Sequence, residues 1–255
     1  MPVRRGYRQA CGTARGLDIV GERWALLVVR ELLLGPKRFT DLQAALPAAS
    51  PNALADRLRE LTDAGVLRRG ALPPPASAKV YELTDWGRRL EPIVIALGTW
   101  ALEAPPTDDQ IFVSTDSAML TIRTYYAPPV TNRAAATNHG ADAAENANAG
   151  PNAGAGGDAS IRIELYDHGA AGVFGVRLTS AGAEVAHAVP DAADAVVRTT
   201  TAELLAAFGR HALPPAGDAA TSITGDRSVV RRLVEGIRVP ADDRESGTMG
   251  IDDAD

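Results

Sequence analysis

Cysteine, histidine clusters and the common catalytic motifs are scarce or missing in this sequence. A single cysteine, Cys11, stands among 255 residues, which excludes an internal disulfide framework and favours a reducing compartment such as the cytoplasm. The four histidines are scattered without the spacing of a metal-ligand set, so we expect neither a metal nor another cofactor. The GxSxG, Walker A and GxGxxG patterns are also missing. The chain is therefore not expected to be an enzyme.

Long hydrophobic runs are missing too. No apolar stretch approaches the ~20 residues that a membrane-spanning helix needs. The best candidate, residues 90–102, is too short and carries a charge and a proline. The first 12 residues contain arginines but no apolar core of a secretory signal. We expect no membrane partner.

Charge is distributed unevenly along the chain, whose formal net charge is −6. Residues 1–104 hold 15 of the 26 Lys and Arg residues and 11 of the 32 Asp and Glu residues, a balance of +4. The rest of the chain has a balance of −10. This asymmetry predicts two modules with different partners, and only the first is suited to a polyanion.

The first module, residues 1–104, is rich in helical signals. Its sequence predicts helices at 22–35, 38–47, 50–64 and 84–103. Two strands are predicted at 66–72 and 79–84, joined by a proline-rich tip to form a hairpin. Thr84 is the expected N-cap of the last helix.

The helix at 50–64 has well-defined ends. Ser50 is a typical N-cap, Pro51 suits the first helical position, and Gly65 suits the left-handed residue after a helix. One face is apolar, with leucines at positions 54, 58 and 61. The opposite face is polar, and by itself such a face is more often merely solvated.

The second module, residues 105–240, is predicted to be α+β. Strand-like runs lie at 161–167, 172–178, 182–188 and 194–200, helices at 201–210 and 227–237, and a short run at 222–226. Residues 112–126 could be helix or strand, but Ser114 or Thr115 as a cap favours a helix. The order of elements predicts an antiparallel meander packed with helices. Residues 130–160 read as a disordered insertion and 241–255 as a disordered acidic tail.

The element order of the first module is that of a winged helix-turn-helix. A helix fits the major groove of DNA, and the tip of a hairpin can reach a flanking phosphate or the minor groove. Basic residues at element ends and on the hairpin could neutralise phosphates, namely Lys37, Arg38, Arg57, Arg59, Arg68, Arg69 and Lys79. The predicted DNA-binding residues are Arg38, Thr40, Ser50, Asn52, Ala53, Asp56, Arg57, Arg59, Arg69 and Lys79.

Residues 7–103 resemble the HxlR-type transcriptional regulators of bacteria. The resemblance rests on Cys11 and on the segments 21–42, 50–69 and 81–100, with the proline-rich wing between the last two. It implies a homodimer built by the first and last helices of the domain. It also implies that residues 50–64 read a double-stranded DNA operator and that the wing contacts DNA.

Residues 108–240 are similar to the sterol carrier protein-like domain that is sometimes fused to these regulators. The similarity is carried by segments 194–210 and 222–237. It implies helices packed on one sheet around an apolar cavity. An apolar small-molecule effector that modulates DNA binding is therefore one hypothesis.

Cys11 has two interpretations. A lone cysteine is most often a small buried apolar residue. A cysteine at this place serves some HxlR-type proteins as a sensor of oxidants or electrophiles, and a helix N-terminus can make a thiol more reactive. Trp24, Trp86 and Trp100 are expected to anchor the core and the dimer interface rather than to form a ligand cage.

Two functions of different classes remain open at this point. The first is a sequence-specific, dimeric DNA-binding regulator of transcription. The second is a small-molecule carrier or binding module, in which the acidic half does the work and the winged helix is a dimerising scaffold.

Overall fold

The computed structural model describes residues 6–72, 78–102, 104, 112–128, 157–167, 172–187, 190, 192–213 and 221–239. The tip of the predicted hairpin, most of the insertion predicted at 130–160 and the tail predicted at 241–255 lie outside the described residues. Residues 159 and 160 are described and belong to a strand, so the predicted end of the insertion is wrong. They are held there because the Ser160 backbone N–H donates to Asp194 Oδ2 at 2.8 Å.

The first module is a winged helix-turn-helix, as predicted. Its elements in order are α1 (Gly12–Val20), α2 (Ala25–Glu31), α3 (Phe39–Ala45), α4 (Pro51–Asp63), β1 (Leu67–Ala71), β2 (Lys79–Leu83), α5 (Asp85–Arg88) and α6 (Glu91–Ala101). The two strands pair antiparallel, with Leu67 opposite Leu83 and Ala71 opposite Lys79. A single bridge between Lys37 and Tyr81 ties the loop after α2 to the hairpin.

The ends of α4 follow the local signals in the sequence. The Ser50 hydroxyl accepts from the Ala53 backbone N–H at 3.2 Å, and Pro51 opens the helix. Gly65 has a φ of +77°, the left-handed conformation expected just past a helix end. These three predictions are confirmed.

The helices predicted at 22–35 and 84–103 in the first module are longer than the helices observed there. After Glu31 the chain continues in tighter turns, in which Leu32 and Leu33 donate to carbonyls three residues back. The last helix divides into α5 and α6. The Thr84 hydroxyl caps α5, but Pro92 in the first turn of α6 has no N–H to continue a helix from the preceding turn.

The second module combines one sheet with three helices. Its elements are α7 (Thr115–Tyr125), β3 (Ala159–Leu165), β4 (Gly172–Thr179), β5 (Gly182–Ala186), β6 (Ala195–Thr199), α8 (Thr201–Arg210), β7 (Ser222–Gly225) and α9 (Arg227–Gly236). The strand order is β5-β4-β3-β6-β7. Residues 112–126 contain a helix capped by Ser114, as favoured by the sequence.

The sheet is not the antiparallel meander that the sequence predicts, because β6 pairs parallel with β3. After the meander of β3, β4 and β5, the chain returns to the free side of β3. Ala186 at the end of β5 lies opposite Gly175, which itself lies opposite Arg162. Strand β6 begins beside Ile161, the residue next to Arg162 in β3. The end of β5 and the start of β6 therefore lie at the same level along the strands, and a short connection can join them.

One face of the sheet carries the core of the second module. Alternate residues of β3 are buried, including Ile161, Ile163 and Leu165. Helix α9 contacts β3 and β6, while α7 contacts β5. The opposite face holds charged pairs such as Arg162 with Glu164, so the helices cover only one face.

The two modules contact each other through α7. It packs against α2, and its Tyr125 hydroxyl lies 3.1 Å from the Thr99 hydroxyl on α6. Arg123 of α7 forms an ion pair with Glu91 at the start of α6. Among the described residues, no helix is both long and apolar enough to traverse a bilayer.

Candidate nucleic-acid interface

Helix α4 is fixed on the module by its apolar face. Leu54, Leu58 and Leu61 are fully buried in the core. Because these leucines share one side, the opposite side of the helix is exposed to solvent. That outer face presents Asn52 and Asp56, together with Arg59 one turn further on.

Arg59 is available to an external partner. Its guanidinium forms an ion pair with Asp56 at 2.5 Å, but its side chain is 59% exposed. An exposed ion pair of this kind contributes little to stability, about 0–1 kcal/mol. A phosphate or a base edge can therefore replace Asp56 at small cost.

Arg57 lies apart from this outer face. Its side chain is only 13% exposed and pairs with Glu60, while Glu22 in the connection between α1 and α2 is 4.0 Å away. Within the described part of the chain its Nε is buried without a hydrogen-bond partner. For the predicted contact with DNA, Arg57 would have to leave these carboxylates.

The start of α3 provides a second exposed basic group. Arg38 is the N-cap residue, and its backbone N–H donates to Asp41 Oδ2 at 3.0 Å. The side chains of Arg38 and Thr40 are exposed. Ser50 differs from them because its hydroxyl is engaged as the cap of α4, and Ala53 is half-buried behind it.

The wing carries its basic residues on both faces. Arg69 is exposed, with its guanidinium carbon 6.0 Å from the centre of the Tyr81 ring. Arg68, the preceding residue, points to the other face and pairs with Glu82 at 2.9 Å. Lys79 begins β2 in an exposed position next to the tip.

Lys37 is held inside the protein, and for the phosphate contact predicted from its position it would have to leave two carboxylates. Its Nζ lies 2.8 Å from Glu31 Oε2 and 2.9 Å from Asp116 Oδ1, and its side chain is 11% exposed. It is thus an internal cation between the two modules. Glu31, which was not among the predicted functional residues, is fully buried, and a charged residue directly before the apolar run 32–34 is the signal for it.

A stripe of apolar side chains remains exposed on α5 and α6. Trp100 is 69% exposed, and Trp86, Ile93 and Leu97 are also exposed. None of the described side chains of α6 is fully buried, although Leu90 and Val94 pack against the core. Leu17 of α1, in the same module, is also exposed. Such a stripe is typical of a surface that another protein covers.

Cys11 is exposed, so the interpretation as a buried apolar residue is wrong. It is the N-cap residue of α1, where its Sγ accepts from the Ala14 backbone N–H at 3.4 Å. Within the described ranges, no group of three His, Cys, Asp or Glu residues could hold a metal ion.

Comparison with known proteins agrees with the geometry of the first module. The sequence pattern of the family described as HxlR-like helix-turn-helix matches residues 19–108. The uncharacterized HTH-type transcriptional regulator YvaP of Bacillus subtilis (strain 168) is 40% identical over 89 residues, which are 35% of this chain and 82% of that relative. The HTH-type transcriptional regulator YodB of the same organism is 34% identical over 84 residues, covering 33% and 75%.

Among solved structures, the redox regulator HypR in its oxidized form is 29% identical, with a TM-score of 0.36, covering 38% of this chain and 100% of that one. The relatives are transcriptional regulators rather than enzymes. The chain belongs to the HxlR-like helix-turn-helix family of DNA-binding transcriptional regulators.

Proposed function

We propose that the chain binds a specific DNA operator as a homodimer and regulates transcription by occupying a promoter region. Helix α4 would enter the major groove and the wing would contact the flanking backbone or the minor groove. The observation that carries this proposal is the outer face of α4. The buried leucines hold the helix rigidly while Asn52, Asp56 and Arg59 stay exposed.

The residues proposed to contact DNA form a centre and two flanks. On α4, Asn52 is suited to pair with adenine and Arg59 with guanine or a phosphate. Ser50, Ala53, Asp56 and Arg57 accompany them on the same helix. Exposed Arg38 and Thr40 on α3, and Arg69 and Lys79 on the wing, are suited to phosphates.

The proposed dimer uses the apolar stripe of α5 and α6. Its occupant would be a second copy of the chain, since the chain is similar to the HTH-type transcriptional regulators YvaP and YodB and helix-turn-helix dimers bind two DNA half-sites. Two copies related by a two-fold axis would bury both stripes together, with Trp100 near the centre. Their α4 helices would then stand about 34 Å apart, one turn of DNA.

The second module, residues 105–240, is proposed to be sterol carrier protein-like and to bind a small effector. Its five-stranded sheet with helices on one face is compatible with that architecture. The alternative function, a carrier module dimerised by the winged helix, predicts ligand retention by the protein with no sequence preference for DNA. A pronounced preference for one operator contradicts this alternative.

A further alternative is a thiol-based redox regulator acting through Cys11, favoured by the exposure of this thiol at a helix N-terminus. This hypothesis predicts that diamide weakens operator binding by the native chain and leaves Cys11→Ser unaffected. Identical responses of the two proteins would rule it out.

The test of the DNA-binding proposal is operator selection with the full chain, followed by affinity measurements on Arg59→Ala. We expect a loss of about fivefold or more, because a specific base contact is worth about 1–3 kcal/mol. Arg177→Ala is the matched control, since Arg177 is also exposed and paired with a carboxylate, Glu184. Equal operator affinities of the two variants would contradict the role of α4.

A further inference from the structure

A cavity of about 630 Å³ lies between the two modules. The first module contributes the loop after α2, part of α3 and the residue after β1 near the tip of the wing, while the second contributes the start of α7 and the adjoining ends of β4 and β5. Its walls are mainly apolar and include Leu34, Ala44, Leu72, Phe112, Val173 and Ala186. Its volume falls in the range of about 300–1,000 Å³ that is typical of small-molecule sites.

A closed ionic cluster forms one corner of this cavity. Lys37 lies between the carboxylates of Glu31 and Asp116, as described above. Glu31 also accepts from the Ser114 hydroxyl at 2.6 Å and from the Arg30 guanidinium at 2.8 Å. The buried charges are thus matched within the protein, so an occupant of the cavity need not bring a charge of its own.

His187 is the polar group of this corner that faces the open space. Its Nε2 lies 3.0 Å from Asp116 Oδ2, and its side chain is 40% exposed. Burial tends to raise the pKa of Asp116, but the hydrogen bond with His187 and the charge of Lys37 outweigh it and lower the pKa below its usual value. Because Asp116 is ionised, Nε2 of His187 must carry the proton and donate it.

In the neutral ring with this tautomer, Nδ1 of His187 is a hydrogen-bond acceptor. Nδ1 has no hydrogen-bond partner among the residues that the structure describes. The ring is steadied by Phe174, whose ring centre lies 4.5 Å away. The cavity therefore combines apolar walls with one oriented acceptor.

We propose that this cavity binds a neutral, mainly apolar molecule that carries a hydroxyl group, as phenols and hydrophobic alcohols do. The hydroxyl donates to Nδ1 of His187 and the apolar body contacts Leu34, Phe112 and Val173. An anion is disfavoured, because Asp116 and the exposed Asp41 both border the space. Asp41 itself is already an acceptor for Arg38 N–H and the Thr40 hydroxyl.

The cavity also touches the elements that present the proposed DNA contacts. The backbone of Lys37 donates to Tyr81 O at 3.0 Å and accepts from Tyr81 N at 2.8 Å, which joins the ionic cluster to the wing below Arg69. Asp41 holds the backbone of Arg38. A bound molecule therefore lies against the segments that position Arg38 on α3 and Arg69 on the wing, on either side of α4 in the proposed DNA surface. This coupling rests on the proposed function, whereas binding to the cavity does not.

A change in operator affinity requires that the cavity differ between the free and DNA-bound states. The ligand then shifts the equilibrium by its differential affinity for the two states, and the coupling is reciprocal. Ligand binding to the cavity and its effect on operator affinity can be measured separately.

Binding is tested by titrating the full chain, without DNA, with 2-naphthol and with 2-methoxynaphthalene, which lacks the hydroxyl donor. Isothermal calorimetry should give a dissociation constant for 2-naphthol that is about three- to tenfold lower, the worth of one hydrogen bond. 2-Naphthoate, an anion of similar size, should bind more weakly than 2-naphthol. Equal affinities for 2-naphthol and its methyl ether, or no binding of either, would overturn the proposal.

Two variants locate the site. Ala186→Trp fills the cavity and should weaken both probes by more than tenfold, whereas Ala181→Trp, in the exposed turn at the other end of β5, should bind both as the native chain does. His187→Phe keeps a ring against Phe174 but removes the acceptor, so the preference for the hydroxyl should disappear. Undiminished binding by Ala186→Trp would overturn the location.

The coupling is tested on the selected operator in the presence of saturating 2-naphthol. We expect the operator affinity of the native chain to change by fivefold or more when 2-naphthol is added, and the operator affinity of Ala186→Trp to stay constant. An unchanged affinity of the native chain would overturn the coupling while leaving the binding site in place. Failure of the chain to select any operator would instead contradict the proposed function, because the calorimetric result does not depend on DNA.

Discussion

Asp116 is the residue that ties the electrostatics of the two modules together. It is almost completely buried, yet Lys37 and His187 keep its pKa below the usual value. A carboxylate with a lowered folded pKa stabilises the protein above its unfolded pKa of about 3.9. This contribution is lost as the pH falls through the folded pKa, that is, below about pH 4.

Asp116→Asn should therefore destabilise the chain at neutral pH. We expect a loss of about 1.5–3 kcal/mol, the worth of hydrogen bonds to a charged group, because Lys37 loses an ionic partner and His187 loses its carboxylate acceptor. The difference in Tm between variant and native chain should shrink as the pH is lowered below 4. A difference independent of pH would contradict the ionic role. Asp56→Asn, which removes an exposed ion pair, serves as the control and should have little effect.

The burial of individual side chains marks the limit of what could be predicted from the sequence. Arg57 and Lys37 look like free basic residues in the sequence, although Arg57 pairs with Glu60 of its own helix and Lys37 is buried by partners from other elements. Lys37 pairs with Glu31 and Asp116, and the latter lies in a different module. By contrast, the exposure of Asn52, Asp56 and Arg59 followed from the leucine repeat of their own helix.

At the scale of elements, local signals predicted the winged helix well. The cap at Ser50, the glycine after α4 and the two strands of the hairpin depend on neighbouring residues alone. The parallel pairing of β6 with β3 was missed because it depends on where the chain passes after β5. Likewise, the division of α5 from α6 depends on one proline inside an otherwise continuous apolar repeat.

The N-cap of α4 should be a measurable part of the stability of the first module. Ser50→Ala removes the acceptor for the Ala53 N–H and should cost about 1 kcal/mol. Thermal unfolding followed by circular dichroism should show a lower Tm for this variant. Ser180→Ala, in the exposed turn between β4 and β5, is the control. Equal Tm values for the two variants would show that the cap does not hold α4.

At the scale of the whole molecule, the exposed apolar stripe makes a prediction about assembly. Trp100→Glu places a charge in the centre of the proposed dimer contact and should raise the dimer dissociation constant by at least about tenfold, since buried tryptophans dominate such contacts. Sedimentation velocity over a range of concentrations measures this. Tyr166→Ser changes an exposed aromatic side chain on the second module and should leave the dimer intact. A native chain that stays monomeric at high concentration would contradict the proposed interface.

The most direct test of the central claim is hydroxyl-radical footprinting of the full chain on its selected operator. A dimer that reads DNA with two α4 helices should protect two half-sites on one face of the duplex, with centres about 10 base pairs apart. Protection should decline as salt is raised, because phosphate contacts release counterions. A single protected half-site, or binding with no preference among sequences, would contradict the account.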